Sequence, residues 1–159
     1  MKTSTFLIIL SFLFCFPSFG FAKNELVMRK EFLYWTNSGK TGAFSCYWMI
    51  RIDEGQDVPD MRKEPCGNND GKFSFTLSGP PGTTVTFFGK YNFEKGNGYL
   101  TIKKKDDRMI WLLDMISFPA GQWHFSEATD DSGAFEAFYQ ASPIFEQSVS
   151  SIKWGNNDP

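Results

Sequence analysis

The sequence predicts an all-β protein, either a sandwich or a barrel of short strands. Aromatic residues make up 18% of the chain, a composition typical of strands. Several segments alternate apolar and polar residues, as in Lys72–Leu77, so one face of the strand is expected to be buried and the other wet. Turn residues separate such segments, as at 79–82 and 94–98. The predicted strands are 31–35, 43–52, 72–77, 84–88, 99–103, 109–113, 122–126, 134–139 and 148–154.

Residues 1–22 have the order of a cleavable secretory signal peptide. Lys2 supplies a positive charge, residues 6–16 are apolar, and residues 17–22 have small residues at the third-last and last places. An uncleaved membrane anchor is the alternative, but the apolar run is short for a bilayer. We therefore expect a secreted or periplasmic mature chain that begins at residue 23 and has no membrane span.

The charge of the mature chain argues against nucleic-acid binding. Removal of 22 of the 159 residues leaves 137, and without Lys2 there are 15 basic residues against 18 acidic ones. Nucleic-acid binders present a basic face, whereas the lysine run 103–105 is followed at once by Asp106 and Asp107. This run is better explained as the solvated end of a strand.

Two cysteines, Cys46 and Cys66, remain in the mature chain. In an oxidising compartment an even pair is typical of a disulfide, which would stabilise the fold by roughly 3 kcal/mol on the chain-entropy model. A metal pair is the competing interpretation, but it lacks further ligands because His124 is the single histidine. We expect the disulfide to hold a long loop at 53–69.

An internal repeat is visible in the spacing of aromatic residues and glycines. Residues 121–139 and 32–47 each have two aromatics two positions apart, a polar turn, and then Gly-Ala-Phe. In both copies the first aromatic precedes the glycine by ten positions. A looser third copy lies at 85–96.

These copies resemble the Greek-key motif of the βγ-crystallin family. In that motif a strand with alternating aromatics enters a folded hairpin with an aromatic corner and a glycine, and a serine in the last strand closes over the hairpin. The stretch 121–133 resembles it through Trp123, Glu127 and Gly133, with 148–152 as its closing strand. The resemblance implies a Greek-key β-sandwich.

The family builds one domain from two paired motifs, and this chain has three. The resemblance therefore implies a two-motif domain at 83–154, followed by a tail at 155–159. The segment 23–80 would then be an N-terminal β segment with one motif and the disulfide loop. A lone motif exposes a sheet face unless it packs on the domain or on another copy, so we expect a homodimer.

Many members of this family bind calcium through two Asn/Asp residues that precede a hydroxyl residue and a serine, and hard oxygen ligands suit calcium. Here 146–151 keeps the serines but has Glu and Gln in the first two places, and 69–74 keeps Asn-Asp but has Phe73 in the hydroxyl place. The third candidate signature, 110–115, has none of the required residues in their places. Calcium is thus the one cofactor implied, through incomplete signatures. The candidate ligands are Asn69, Asp70, Glu146 and Ser150.

The sequence favours a protein that is not an enzyme. Nucleophilic catalysis requires a base within reach of the nucleophile, and His124 lies inside a predicted strand with no serine or cysteine motif beside it. The pairs 106–107 and 130–131 fall in predicted turns, where adjacent carboxylates are not arranged for glycoside cleavage.

Three classes of function remain open. The first is a secreted non-enzymatic protein with a structural or partner-binding role, and the second is a calcium-binding module on the same scaffold. The third is a secreted enzyme inhibitor or toxin-like protein, which would present the 53–69 loop. The partner would be a protein or a glycan. The predicted loop contacts are Asp60, Met61, Arg62 and Lys63.

Overall fold

The computed structural model describes residues 23–35, 41–45, 49–65, 72–142 and 145–155. The predicted signal peptide, Cys46, Cys66, Asn69 and Asp70 lie outside these ranges. The predicted cleavage, the disulfide and the Asn69–Asp70 half of the calcium site therefore stay predictions.

The described chain is built from ten β-strands and four single-turn 3₁₀ helices. The helices are Met61–Lys63, Tyr91–Phe93, Lys95–Asn97 and Phe145–Gln147. The strands are β1 Glu25–Trp35, β2 Thr41–Ser45, β3 Ile50–Asp53, β4 Lys72–Leu77, β5 Thr84–Phe88, β6 Tyr99–Lys104, β7 Ile110–Leu112, β8 Trp123–Ser126, β9 Phe135–Gln140 and β10 Ser151–Trp154.

The strands form two open antiparallel sheets. The first sheet has the order β2–β1–β4–β7, and β3 pairs with the first part of β1, where Leu26 lies opposite Ile52. The second sheet has the order β10–β5–β6–β9–β8. The predicted all-β fold of two antiparallel sheets is confirmed, in the manner of a β-sandwich.

One apolar core lies between the sheets. The inward residues of β4 and β5 meet across it, and the rings of Phe75 and Phe87 lie 4.7 Å apart. Leu26, Leu100 and Ile152 are fully buried in the same cluster. The alternation of apolar residues places them on one face of each strand, and their burial against the opposite sheet is the main stabilising contribution.

The boundary predicted near residue 80 does not coincide with the division between the sheets. Strand β7, from the second part of the chain, pairs with β4 from the first part. In the reverse direction, Val58 forms an isolated bridge with Ile152 of β10. Both parts of the chain therefore contribute to one core. Across the described ranges, no helix has the length and apolar character needed to cross a bilayer.

Candidate functional site

One side of the sandwich is closed by backbone pairing. Val58 and Ile152 exchange two hydrogen bonds of 2.8 Å each, and the carboxylate of Asp57 accepts from the backbone N–H of Trp154 at 2.9 Å. These bonds occupy the edge of β10 that faces away from β5. We call β10, residues 57–61 and the hairpin 89–98 the closed side.

The hairpin 89–98 folds back over the second sheet and is fastened there by Ser151. The buried Ser151 hydroxyl donates to the carbonyl of Lys90 at 2.7 Å and accepts from the backbone N–H of Phe93 at 3.0 Å. Asn92 and Phe93 both have positive φ, 54° and 65°, a conformation that costs an ordinary residue about 1–2 kcal/mol. The Ser151 bonds therefore help to hold a locally strained turn.

This arrangement corrects one detail of the sequence prediction. Segment 148–152 was expected to close the motif at 121–133, but its serine closes over the hairpin of the copy at 85–96. A serine does close over a hairpin, as predicted, but the residues that Ser151 contacts lie 58–61 positions earlier in the chain. Local spacing carries no information about which hairpin is covered.

The predicted contact loop is docked on the closed side. The Met61 N–H donates to the carbonyl of Ser150, and the Asn92 N–H donates to the carbonyl of Pro59. Met61 is 1% exposed and belongs to the core. Its predicted role as a surface contact is therefore wrong, because the loop turns this side chain inward. Arg62 and Lys63 remain exposed.

Asp60 and Arg62 form a rigid pair at the tip of this loop. The guanidinium donates to both carboxylate oxygens at 2.8 Å and lies over the ring of Tyr91, 4.0 Å from its centre. These hydrogen bonds lower the pKa of Asp60 from 3.8 to about 2. The charge of Arg62 is thus largely engaged within the protein.

A shallow groove of about 520 Å³ lies next to this loop and contains the one predicted calcium ligand whose side chain is described. The Ser150 hydroxyl donates to the carbonyl of Ser148 at 2.8 Å and lies 3.4 Å from the carbonyl of Gly89. The backbone of Glu146 lies in the adjoining 3₁₀ turn. Within the described ranges, no three His, Cys, Asp or Glu residues are grouped as a metal site. The groove is lined by Gly89, Lys90, Tyr91, Asn92, Glu94, Asn97, Ser148 and Ser150.

The acidic pairs considered for catalysis lie in turns, as predicted. The Asp106 carboxylate accepts from the backbone N–H groups of Arg108 at 3.0 Å and Ala134 at 2.8 Å. Beside it, the amine of Lys104 donates to the carbonyl of Arg108, and burial lowers the pKa of Lys104. This network fixes the connection between β6 and β7. His124 is exposed on β8, and its ring centre is 6.1 Å from that of Phe118.

The opposite edge of the second sheet is left open. Strand β8 ends the sheet order, so one of its edges has no strand partner among the described residues. The loop that follows β8 reaches the edge of β7, where the Ser132 hydroxyl accepts from the Trp111 N–H at 3.0 Å. We call β7, β8 and the residues flanking β7 the open side. Its exposed apolar side chains are Met109, Trp111, Leu113, Trp123 and Phe125.

A row of aromatic rings crosses the outer face of the second sheet and ends on the open side. From the hairpin inward, Phe93 contacts Phe88 and Phe88 contacts Tyr99, with ring centres 6.0 and 6.3 Å apart. Tyr99 stacks on Phe138 at 5.8 Å, and Phe138 meets Trp123 edge-on at 5.6 Å. The row is buried under the hairpin at one end, whereas Trp123 is 43% exposed.

A smaller cavity of about 170 Å³ lies on the outer face of the first sheet, beside β7. Its walls combine a guanidinium, two hydroxyls and an indole, which the sequence prediction did not bring together. The residues come from β1, β4 and β7, three strands whose pairing local patterns do not reveal. The lining residues are Val27, Arg29, Ser74, Phe75, Thr76, Met109 and Trp111.

Comparison with known proteins gives no match: no family model fits the chain, and neither the curated proteins nor the solved structures include a similar one.

Proposed function

We propose that this chain is an exported, non-enzymatic protein that binds a glycan through its open side. The observation that supports this most directly is the aromatic row on the outer face of the second sheet, which ends at the exposed ring of Trp123. An isolated exposed apolar residue is ordinary on a protein surface. Trp123 and Phe125 are exposed two positions apart, on one face of the edge strand β8, and clustered exposed apolar residues are characteristic of an interaction surface.

A glycan is favoured over a protein because polar groups on the neighbouring strand β9 lie beside the exposed rings. Glu136 lies opposite Phe125 in the strand pairing and is half-buried, and Gln140 is exposed on the same face of β9. Aromatic rings that carry polar neighbours suit a ligand with apolar faces and many hydroxyls. A tight protein interface usually has a core depleted of charged residues.

We also propose that the scaffold is a Greek-key sandwich of the βγ-crystallin type. The support is the folded hairpin with aromatic residues at its corner and a buried serine fastened across it. A second support is Gly98, whose φ of +80° favours glycine. Gly98 lies two positions after Gly96, the glycine that ends the looser copy at 85–96.

The proposed function is tested on an array of neutral and acidic oligosaccharides. The mature chain 23–159 is expected to bind a subset of them, and the double variant W123A/F125A should lose at least tenfold in affinity. The matched control is Tyr91→Ala, which removes an exposed aromatic residue from the closed side. Failure to bind any oligosaccharide, or equal loss in the control, would contradict the proposal.

Calcium binding is the second candidate, favoured by the oxygens that converge around Ser150. The carbonyl of Gly89, the carbonyl of Ser148 and the Ser150 hydroxyl lie within one hydrogen-bonded group. A site saturated 100-fold above its Kd stabilises a fold by about 2.7 kcal/mol. Thermal unfolding in EDTA and in millimolar calcium should then differ, and Ser150→Ala should reduce the difference. Identical curves would exclude this candidate.

Self-association belongs to the same proposal. A second copy pairing along β8 would cover Trp123 and the unpaired edge of the strand. Light scattering of the mature chain with and without the bound oligosaccharide measures this directly. A glycan that competes with the second copy should shift the mass toward the monomer.

A further inference from the structure

The cavity on the first sheet contains polar groups that nothing in the described chain pairs. Arg29, Ser74 and Thr76 line it, and their side chains form no hydrogen bond or ion pair within the described ranges. Ser74 is buried, with 8% of its surface exposed. The Ser74 hydroxyl lines the cavity without a protein partner among the described residues, so it is free to donate to or accept from a ligand.

The neighbouring charges on the same face are already neutralised. Arg51 lies opposite Val27 in the strand pairing, and its guanidinium binds the carboxylate of Glu25 at 3.1 Å. Glu25 also faces Lys23 at 3.9 Å, and Lys23 binds Asp53 at 2.7 Å. Among the side chains that the structure describes, Arg29 thus has no counterion beside the cavity.

The remaining wall is aromatic and fixed in place. Trp111 lies opposite Thr76, which lies opposite Val27 in the strand pairing, so the indole sits at the end of a cross-strand row. The backbone N–H of Trp111 donates to the Ser132 hydroxyl, which ties β7 to the loop after β8. Met109 completes the apolar wall.

We propose that this cavity binds the acidic sugar residue of an anionic glycan. A planar guanidinium recognises a carboxylate through two parallel hydrogen bonds. The hydroxyls of Ser74 and Thr76 each donate and accept, as sugar hydroxyls require. The indole face packs against the apolar face of the ring. The volume of about 170 Å³ suits a single sugar residue, and the rest of the glycan would pass around the edge of the sandwich from β7 toward Trp123 on β8.

This inference rests on the proposed function and names its ligand class. The probes are tetrasaccharides of galacturonate, glucuronate, mannuronate and sialic acid, each beside its carboxyl-reduced form, with a sulfated tetrasaccharide and acetate as separate arms. At least one acidic tetrasaccharide should bind tenfold more tightly than its reduced form and more tightly than the sulfated one. Its binding should shift the NMR signals of Arg29, Ser74 and the Trp111 indole N–H. Saturation of these shifts by acetate alone at similar concentrations would reduce the cavity to an anion site and overturn the proposal.

Arg29→Gln and Arg51→Gln form a matched pair of variants on one face. Arg29→Gln should lose at least tenfold in affinity for the acidic tetrasaccharide, while Arg51→Gln should retain it. Both residues are exposed, and circular dichroism verifies that each variant is folded. If neutral glycans bind as well as acidic ones, or if Arg29→Gln binds normally, the acidic-sugar inference fails while the proposed function survives. If no glycan binds at all, both fail.

Discussion

The two lateral sides of this sandwich differ in whether the edge strand of the second sheet is covered. On the closed side, the free edge of β10 is covered by residues 57–61, which supply backbone partners for Ile152 and Trp154. On the open side, β8 ends its sheet with Trp123 and Phe125 exposed. An uncovered edge with apolar residues is an aggregation hazard that proteins normally avoid. This exposed edge is the basis of the proposal that the open side binds a ligand.

The same comparison applies to the aromatic row. At the closed end, the hairpin that Ser151 holds in place covers Phe88, which is 2% exposed. At the open end, Phe138 is half-buried and Trp123 faces solvent. A buried aromatic contributes stability through the area removed from water, whereas an exposed one is available to a ligand. One continuous row is therefore buried at one end and exposed at the other, where we propose that it contacts a ligand.

The largest expected effect of a substitution falls on the closed side, at Gly89. A Cβ at this position would collide with the backbone carbonyl of Asn97 across the hairpin. Gly89→Ala should lower the free energy of unfolding by about 3 kcal/mol or more, since the hairpin must open to accommodate it. Urea unfolding measures the loss.

Gly121 on the open side is the matched control for Gly89. Its φ is +75°, but a Cβ there meets nothing within 4 Å. Gly121→Ala should cost only the conformational penalty of about 1–2 kcal/mol. A larger loss of unfolding free energy for Gly121→Ala than for Gly89→Ala would contradict the tight packing inferred for the closed side.

The second effect concerns the buried hydroxyl of Ser151. Ser151→Ala leaves the Phe93 N–H and the Lys90 carbonyl without their partner, which should cost about 1–3 kcal/mol. Ser126, half-buried at the end of β8, forms no hydrogen bond through its side chain in the described chain. Ser126→Ala should change stability by less than about 0.5 kcal/mol. Equal losses in the two variants, measured by urea unfolding, would show that Ser151 does not fasten the hairpin.

A smaller effect is expected for Phe125 on the open side. Its ring is 52% exposed, so Phe125→Thr removes only part of the usual burial energy and introduces a good strand former. The loss of stability should stay below about 1 kcal/mol, as measured by thermal unfolding. A loss comparable to that of Ser151→Ala would mean that Phe125 is a core residue.

The smallest effect is the pH dependence of the Asp60–Arg62 pair. The folded-state pKa of Asp60 is lowered to about 2 from 3.8. The stabilisation is therefore present above about pH 4 and is lost as the pH falls toward 2. Because the pair lies at the surface, solvent screens it and the effect on unfolding should be small. NMR titration of the Asp60 carboxylate should give a midpoint near 2, and a midpoint near 4 would show that the pair does not persist in solution.

Much of the strand content could be predicted from the sequence. The alternation in β4 and β5 predicted their bounds, Lys72–Leu77 and Thr84–Phe88, as they are found. The start of β1 was missed because Arg29 and Lys30 interrupt the apolar pattern. Arg29 faces solvent, while Lys30 is buried with its amine over the ring of Phe73. A predicted single strand at 43–52 is found as β2 and β3.

The candidate sites were harder to predict because they depend on pairings between distant segments. The serines at 148–151 were identified, but neither the hairpin they cover nor the groove beside Asn92 follows from spacing. Met61 has the polar neighbours of an exposed loop, yet it becomes buried because the loop docks on β10. The cavity beside Arg29 depends on the pairing of β1, β4 and β7. These contacts are long-range, and local alternation reports only which face of a strand is apolar.

The most direct test of the difference between the two sides is native-state hydrogen exchange of the mature chain. The amides of Val58, Met61 and Ile152 are bonded across the closed side, and they should exchange at rates close to those of global unfolding. Along β8, every second amide points away from β9 and should exchange rapidly. Slow exchange of all four β8 amides, residues 123–126, in the ligand-free monomer, at a concentration where light scattering gives the monomeric mass, would contradict the open side, since it would mean that this edge is already covered within the chain.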